Sequence, residues 1–418
     1  MKAIQTLWCG GRSLLHSPFW WRDAEYNLMS WALSCHSLRE QFGAVTLYTD
    51  SEGAKVLIDR LGLPYTEVVV NYDGFDCLTC HWALAKVKTY SLQTEPFVHI
   101  DGDIYMPKPL SAELQSAGLL VQNREVYTDY NRGMVRKLLA VEGLRLAPRF
   151  RSVLEGDDVP SLNLGFCGGN DLDFFGRFCG EVFRFFRDND FNGERFRHDD
   201  ISANVVYEQI FFAIMAHEEG RDVASVYPGS VGDNCYTVAD FCDVLHYPAH
   251  SFFHVLGGHK RTLDVCDSVA RTLLWRYPET FARVEALFSS QSAPEARPAE
   301  QRRKAAASIE FLNCNDSARN AFVIALNPLA SIDVDIRMAS APYTLGTGSR
   351  TTPLTTLDLN ILTRLEESPV AFGDLVSLLR QCFNEAIDHS AVRLCVGKRV
   401  EALVVGGVVS ALSGSIFY

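Results

Sequence analysis

Along the first half of the chain, short apolar blocks alternate with longer amphipathic stretches. Ala3–Trp8 is an apolar run that ends at Cys9-Gly10-Gly11, and Val45–Tyr48 is another that stops at Thr49-Asp50. Thr66–Val70 and Phe97–Ile100 are two more. Blocks of four to eight apolar or β-branched residues read as buried strands. Between them, Asp23–Phe42 places Tyr26, Met29, Leu33 and Leu38 near one helical face, and Gly53–Leu61 and Trp82–Leu92 read as shorter helices. A strand–helix–strand rhythm predicts a mainly parallel sheet covered by helices. Ligands of such sheets gather at the carboxyl ends of the strands.

One strand ends unusually. Residues 97–104 read Phe-Val-His-Ile-Asp-Gly-Asp-Ile, an apolar run that delivers two carboxylates to a sheet edge. Uncompensated carboxylates are costly there, so a cation is the natural partner. If the chain stays extended, alternation points Asp101 and Asp103 to the same side, about 6–7 Å apart. That spacing suits a joint hold on one hard divalent ion. Gly102 leaves room for a ligand near the backbone.

Four further segments carry chemistry. Lys86-Val87-Lys88 reads first as a solvated helix face, with a donor contact by Lys86 as the functional alternative. Ser161–Asn170 is a small-residue-rich turn and strand that places Asn163 where an amide can bond hydroxyls. Tyr207-Glu208-Gln209-Ile210 puts an acid and an amide at the start of an apolar helix. His254-Val255-Leu256-Gly257-Gly258-His259-Lys260 supplies an imidazole, a Gly-rich turn and an ammonium. A His completes a metal shell, Gly amides face a phosphate, and Lys neutralises it. Asp50, at its own strand end, is placed to meet a nucleoside. Cys77-Leu78-Thr79-Cys80-His81 has the spacing of c-type haem attachment, but the N-terminus lacks the signal peptide that such chemistry requires.

Taken together these residues resemble the glycosyltransferases of the GT-A fold. Asp101-Gly102-Asp103 is similar to that superfamily's Asp-X-Asp motif, which binds the metal–nucleotide-sugar complex. His254, Gly257 and Lys260 match the His-X-X-Gly-X-X-Lys pattern of retaining, family-8-type, glycogenin-like enzymes. The resemblance implies that His254 is the third metal ligand and that Gly257 and Lys260 hold the donor diphosphate. Asn163-Leu164-Gly165-Phe166 resembles the segment that lines the donor-sugar site, and Glu208-Gln209 resembles the Asp-Gln pair near sugar and acceptor. The likeness covers about residues 1–265. It departs after Lys260, where Arg261-Thr262 stands in place of the usual Pro-Trp. The Trp-rich N-terminus also resembles that of an uncharacterised bacterial family, which adds no chemistry.

Composition narrows the picture in three ways. The 418 residues suggest two or three domains. A net charge of −12 argues against broad binding of nucleic acid or of anionic membranes. The 12 cysteines form no paired framework, and no run of 18 apolar residues is present, so a cytoplasmic protein without a membrane span is expected.

Organisation changes near Ser289. Residues 289–308 have little to bury and read as a linker between a catalytic domain, 1–288, and a block of 309–418. That block opens with the extended segments Ala321–Leu326 and Ser331–Ile336. Three helices follow, the first carrying Leu354, Leu357, Ile361, Leu362 and Leu365, the second Phe372, Leu375, Val376 and Leu379, the third Val396, Val400, Leu403 and Val404. Gly406-Gly407 then predicts a terminal hairpin. The pattern is similar to small winged-helix domains that bind a leader peptide, with a structural cap or homodimerisation module as the plainer reading.

The expected fold is therefore α/β, a GT-A (Rossmann-like, mixed but mostly parallel) domain followed by a small α+β winged-helix-like domain. The expected activity is sugar transfer, with retention, from a nucleotide diphosphate sugar such as a UDP-sugar to an acceptor, with a peptide or protein among the candidates, using Mn²⁺ or Mg²⁺ held by Asp101, Asp103 and His254. The competing expectation is a non-catalytic protein that binds a nucleotide sugar or a peptide.

Overall fold

The computed structural model describes residues 1–126, 129–193, 203–227, 230–231, 252–261, 263–289, 311–312, 318–326, 343–347, 350–354, 356–367, 369–384, 387–405 and 409–413. The chain divides into two compact units. The first comprises Met1–Leu273 and Tyr277–Ser290, and the second Gln291–Tyr418 with Leu274–Arg276. The expected linker lies almost entirely outside the described residues.

The first unit is built on β1 (Lys2–Leu7), β2 (Val45–Thr49), β3 (Glu67–Val70), β4 (Phe97–Ile100), β5 (Ile104–Tyr105), β6 (Leu119–Glu125), β7 (Ser161–Gly169), β8 (Val223–Ser225), β9 (Ser230–Val231) and β10 (Phe253–His254). The main sheet has the order β3-β2-β1-β4-β7-β6-β8, with β9 also on β6. β7 runs antiparallel to β4 and β6, and every other pairing in this sheet is parallel. The expected mixed, mostly parallel α/β sheet is therefore present. β5 and β10 form a separate antiparallel pair.

Alternation along the strands explains how both faces are covered. Ile4, Phe97, Leu119 and Val121 join one core cluster, while Ala3, Val98, Ile100, Leu120 and Phe166 join the other. Neighbouring residues of one strand thus feed opposite layers. The first layer is closed by the helices Ala83–Ser91, Leu172–Asn189 and Phe211–Glu218; Leu172–Asn189 alone buries Phe174, Phe175, Phe178 and Phe185. The second is closed in part by Leu38 of the helix Ala24–Gln41 and by Phe42 beyond it. Each such side chain removed from water contributes roughly 1.5–3 kcal/mol. Because β4 lies between β1 and β7 beneath both layers, all four of its residues are buried. That is the pattern of a doubly covered strand.

Two local expectations are corrected. Asp101-Gly102-Asp103 does not continue the strand: the Ile104 amide donates to the Asp101 carbonyl at 3.1 Å, which closes a turn between β4 and β5. Asp and Gly favour turns over extended chain, so strand alternation does not set the geometry of this pair. The expected helix Gly53–Leu61 is a short α-turn, Ser51–Gly53, continued by a π-helical run, Ala54–Arg60.

The second unit centres on β11 (Phe322–Leu326), which pairs antiparallel with β14 (Val370–Ala371) and β15 (Val409–Ser413). β12 (Tyr343–Thr347) and β13 (Arg350–Leu354) form a hairpin. The three expected helices are Thr356–Glu367, Phe372–Leu379 and His389–Val405, and they share one core that includes Ile361, Leu375, Val376, Val396 and Val400. Leu354 ends β13 instead of opening the first helix. Among the described residues the last strand, β15, pairs with β11, so the segment expected in a terminal hairpin takes part in a non-local pairing. Ser331–Ile336 and Gly406-Gly407 lie outside the described residues. Among the described residues, no helix is long and apolar enough to cross a membrane.

His81 offers a stability test of this packing. Its ring is buried and meets the edges of Phe186 and Phe191 at centroid distances of 5.6 and 5.0 Å. Burial pushes its pKa down to about 4. The folded state therefore binds fewer protons than the unfolded chain below the ordinary histidine value near 6.5, and stability is lost as pH falls from there towards about 4. Urea unfolding is expected to show about 1–2 kcal/mol of this loss between roughly pH 7 and pH 5, absent from His81→Phe. An identical pH dependence in the two proteins would refute the assignment.

Candidate functional site

The site is assembled where β4 ends. β4 is pinned by β1 and β7, and beyond its last residue the Asp101 amide donates to the Gly165 carbonyl at 3.0 Å. The turn is also held from the helix Ala24–Gln41. Ser30 Oγ donates to the Gly102 carbonyl at 3.0 Å, and the Trp31 ring lies where a Cβ on residue 102 would stand, 2.5–2.6 Å from it. Only glycine fits there. β5 then pairs with β10 so that His254 faces Ile104, and the Val255 amide donates to the Asp103 carbonyl at 3.1 Å. This short ladder carries an imidazole from far along the chain to the acidic turn.

Asp101, Asp103 and His254 each offer one ligand atom, and these atoms lie within 4.8 Å of one another. His254 Nε2 is 3.4 Å from Asp103 Oδ1. Asp103 Oδ1 is buried and accepts no hydrogen bond. A buried carboxylate oxygen without a donor, facing an imidazole nitrogen, fits a cation better than it fits a finished hydrogen-bond network. Two carboxylates and one imidazole suit a divalent ion of the Mn²⁺ or Mg²⁺ type.

Charge balance around the cluster comes from two lysines. Lys86 Nζ lies 2.9 Å from Asp101 Oδ1 and 2.7 Å from Glu208 Oε1, and it also donates to the Leu164 carbonyl at 3.3 Å. Its side chain is 5% exposed. The solvated-face reading of Lys86 is therefore corrected: it is a buried counter-charge. Burial opposes its ammonium form, but Asp101 and Glu208 outweigh that and hold it protonated well above the usual lysine value. Lys260 Nζ forms an ion pair with Asp103 Oδ2.

The carboxylates respond in opposite directions. Burial, added to repulsion from Asp103, raises the Asp101 pKa against the pull of Lys86. At Asp103 burial is outweighed by Lys260 and His254, which hold its carboxyl well below the ordinary range. Glu208 is pushed up to about 6 by burial, with Lys86 offsetting part of that; the Tyr90 hydroxyl also donates to it at 3.3 Å.

The remaining expected residues fall into four places. Asn163, buried on β7, donates from Nδ2 to Glu125 Oε1 at 2.9 Å and accepts from the Gly165 amide at 3.0 Å. Glu208 stands behind Lys86, and Gln209 follows it, half-buried, in the π-helical run Val205–Ile210. Gly257 opens the 3₁₀ turn Gly257–Arg261 with φ +47° and open space around it, and the Lys260 carbonyl in that turn accepts from the Arg22 amide at 2.9 Å. Asp50 is not brought to the cluster. It accepts from the Gly53 amide at 3.0 Å and the Cys9 amide at 2.7 Å, and it lines a cavity of about 340 Å³ with Trp8, Gly10, Tyr72 and Phe75 among the walls.

Residues 1–287 match the profile of DUF6734, described as a family of unknown function. The chain belongs to that family. No curated protein matches it. The DUF6734 region contains every residue of the cluster and its counter-charges, and it stops before β11 of the second unit.

Four residues of the DUF6734 site escape a reading of motifs. Gln122, Glu125 and Tyr90 contact His254, Asn163 and Glu208, and Trp31 closes over Gly102. Polar residues at the end of the apolar run Leu119-Leu120-Val121 were the available signal for the first two. Gly165 is equally exacting. A Cβ there would stand 2.7 and 2.8 Å from His254 Cε1 and Nδ1 and would collide with Gln122 Oε1. Gly165→Ala is expected to keep the fold but displace His254, weakening Mn²⁺ binding about tenfold or more in a calorimetric titration. Wild-type affinity in that variant would remove Gly165 from the account.

Proposed function

We propose that this chain is a metal-dependent glycosyltransferase of the GT-A type, moving a sugar from a nucleotide diphosphate sugar, such as a UDP-sugar, to an acceptor with retention. The observation that carries the reading is the convergence of Asp101, Asp103 and His254 at the end of a central strand, with Lys260 on the same carboxylate. The mixed sheet, with its reversed β7 beside the acidic strand, supports it.

Asp101, Asp103 and His254 would hold Mn²⁺ or Mg²⁺, which supplies charge neutralisation for a departing diphosphate. Lys260 is the ammonium at the cluster's edge, and it has a phosphate as a ready alternative partner to Asp103. Lys86 keeps Asp101 ionised and in place, and Glu208 in turn anchors Lys86. Gln209 is the amide proposed for sugar or acceptor hydroxyls, whereas Asn163, engaged by Glu125 and the Gly165 amide, would shape the donor-sugar side from within β7. The cavity beside Asp50, at the ends of β1 and β2, has aromatic and acidic walls suited to a nucleoside. The three helices and three-stranded sheet of the second unit carry the winged-helix-like part of the reading, with a peptide acceptor as their cargo.

A thermal-shift screen of nucleotide sugars with and without Mn²⁺ identifies the donor. Ligand at 100 times its Kd adds about 2.7 kcal/mol of stability. With that donor, hydrolysis or transfer is expected to require Mn²⁺. Asp103→Asn is expected to lose more activity than the ~10–100-fold typical of an outer partner of a metal ligand. Metal-dependent turnover that survives intact in Asp103→Ala would sink the proposal.

A further inference from the structure

Three consecutive residues on β6 form a directed chain of hydrogen bonds that ends on His254. Gln122 is fully buried. It sits at a break in register between β6 and β7: Val121 faces Cys167, but Asn123 faces Asn163. Such irregularities re-aim a side chain out of the regular ladder. Gln122 Oε1 lies 2.6 Å from His254 Nδ1. Gln122 Nε2 donates to Asn123 Oδ1 at 3.1 Å, and Asn123 Nδ2 donates to the Arg124 carbonyl at 2.9 Å.

The last acceptor sets the polarity of the whole chain. A backbone carbonyl has no proton to give, so Asn123 must turn its NH₂ towards it. Its oxygen then faces Gln122, which must donate from Nε2 and point its own oxygen at the imidazole. His254 is left to donate from Nδ1. A neutral imidazole has a single N–H, so Nε2 keeps its lone pair. That nitrogen is the one facing Asp103 Oδ1 at 3.4 Å, so the relay sets a lone pair opposite a carboxylate oxygen, a mismatch that a cation held between the two relieves. Reversing any amide would set two buried acceptors or two buried donors against each other, which costs free energy at each mismatch.

We propose that Gln122 is a positioning residue: through the relay Arg124 carbonyl–Asn123–Gln122 it fixes His254 in the Nδ1–H tautomer and keeps Nε2 available as a metal ligand. The inference deepens the proposed function and rests on its metal reading of the cluster. It also gives Gly165 its reason, since the relay and the ring meet in the space a side chain there would fill.

The tautomer is measurable without metal. In full-length protein with ¹⁵N-labelled histidine, long-range ¹H–¹⁵N correlation at mildly alkaline pH separates the two forms, and His254→Asn assigns the signal. Wild type is expected to show Nδ1–H. Gln122→Leu removes the acceptor, and its ring is expected to move towards the Nε2–H form, with Mn²⁺ affinity down about 10–100-fold. Gln122→Glu, which retains an acceptor oxygen, is expected to stay within a few-fold of wild type. An Nε2–H tautomer in wild type overturns the proposal, as does a Gln122→Leu protein with unchanged tautomer and unchanged Mn²⁺ affinity. If Gln122→Leu fails to fold, the wild-type tautomer alone decides. A wild-type protein that shows Nδ1–H yet binds no Mn²⁺ would defeat the proposed function while supporting the relay.

Discussion

The arrangement depends on neutralising buried negative charge at the end of β4. Asp101 and Asp103 sit one residue apart in a turn, and Glu208 reaches the same neighbourhood from a different element. Three carboxylates so placed repel one another and are poorly solvated. Lys86, wedged between Asp101 and Glu208, makes that cluster tolerable, and Lys260 does the same for Asp103. Removing one partner of such a group leaves an uncompensated buried charge, which is far more costly than the pair is favourable. The elements that bring these side chains together are therefore constrained by electrostatics as well as by packing.

The scaffold meets that constraint with few long-range contacts. The Phe-rich layer beneath β4 sets the height of Lys86 on its helix, since Ala85, Val87 and Tyr90 around it belong to the same core. On the other side the helix Ala24–Gln41 grips the turn by a serine and an indole. The two-residue ladder of β5 with β10 does the rest by delivering His254. Glycines 102 and 165 are where these parts approach too closely for any side chain. Precision at the cluster is thus obtained from strands and helices, with the loops left to supply Lys260.

Much of this was legible in the residue pattern where the signal is local. The apolar blocks that became β1, β2 and β4 declared themselves because each is short, largely buried and closed by turn formers, and β3, the half-exposed edge strand, by its run of valines. The acidic turn stood out because carboxylates rarely follow a fully apolar strand. Its geometry did not follow, because Asp-Gly-Asp obeys turn chemistry rather than strand alternation. Lys86 is hidden for a different reason: its helix looks amphipathic, and the partner that justifies burying it, Glu208, lies far along the chain. The pairing of β15 with β11 is hidden in the same way. A Gly-Gly step suggests a hairpin, whereas the strand is selected by an edge formed some ninety residues earlier. Gln122 carries no local signal, because its meaning comes from a register break that no single strand displays.

Formal charge connects the cluster to the class of ligand proposed for it. With Asp101, Asp103 and Glu208 ionised and Lys86 and Lys260 protonated, the group carries one net negative charge. A divalent ion on Asp101, Asp103 and His254 would reverse that to one net positive charge. Lys260 and such an ion would then compete for Asp103, and like charges at close range in a partly dry site repel strongly. A dianionic group beside them removes the conflict, since it gives the ammonium a second partner. On the proposed reading, the lysine that balances the metal-free site becomes the residue that favours a diphosphate once metal is present. The same argument disfavours a neutral sugar as the group that contacts Lys260, because it would leave the excess positive charge unanswered.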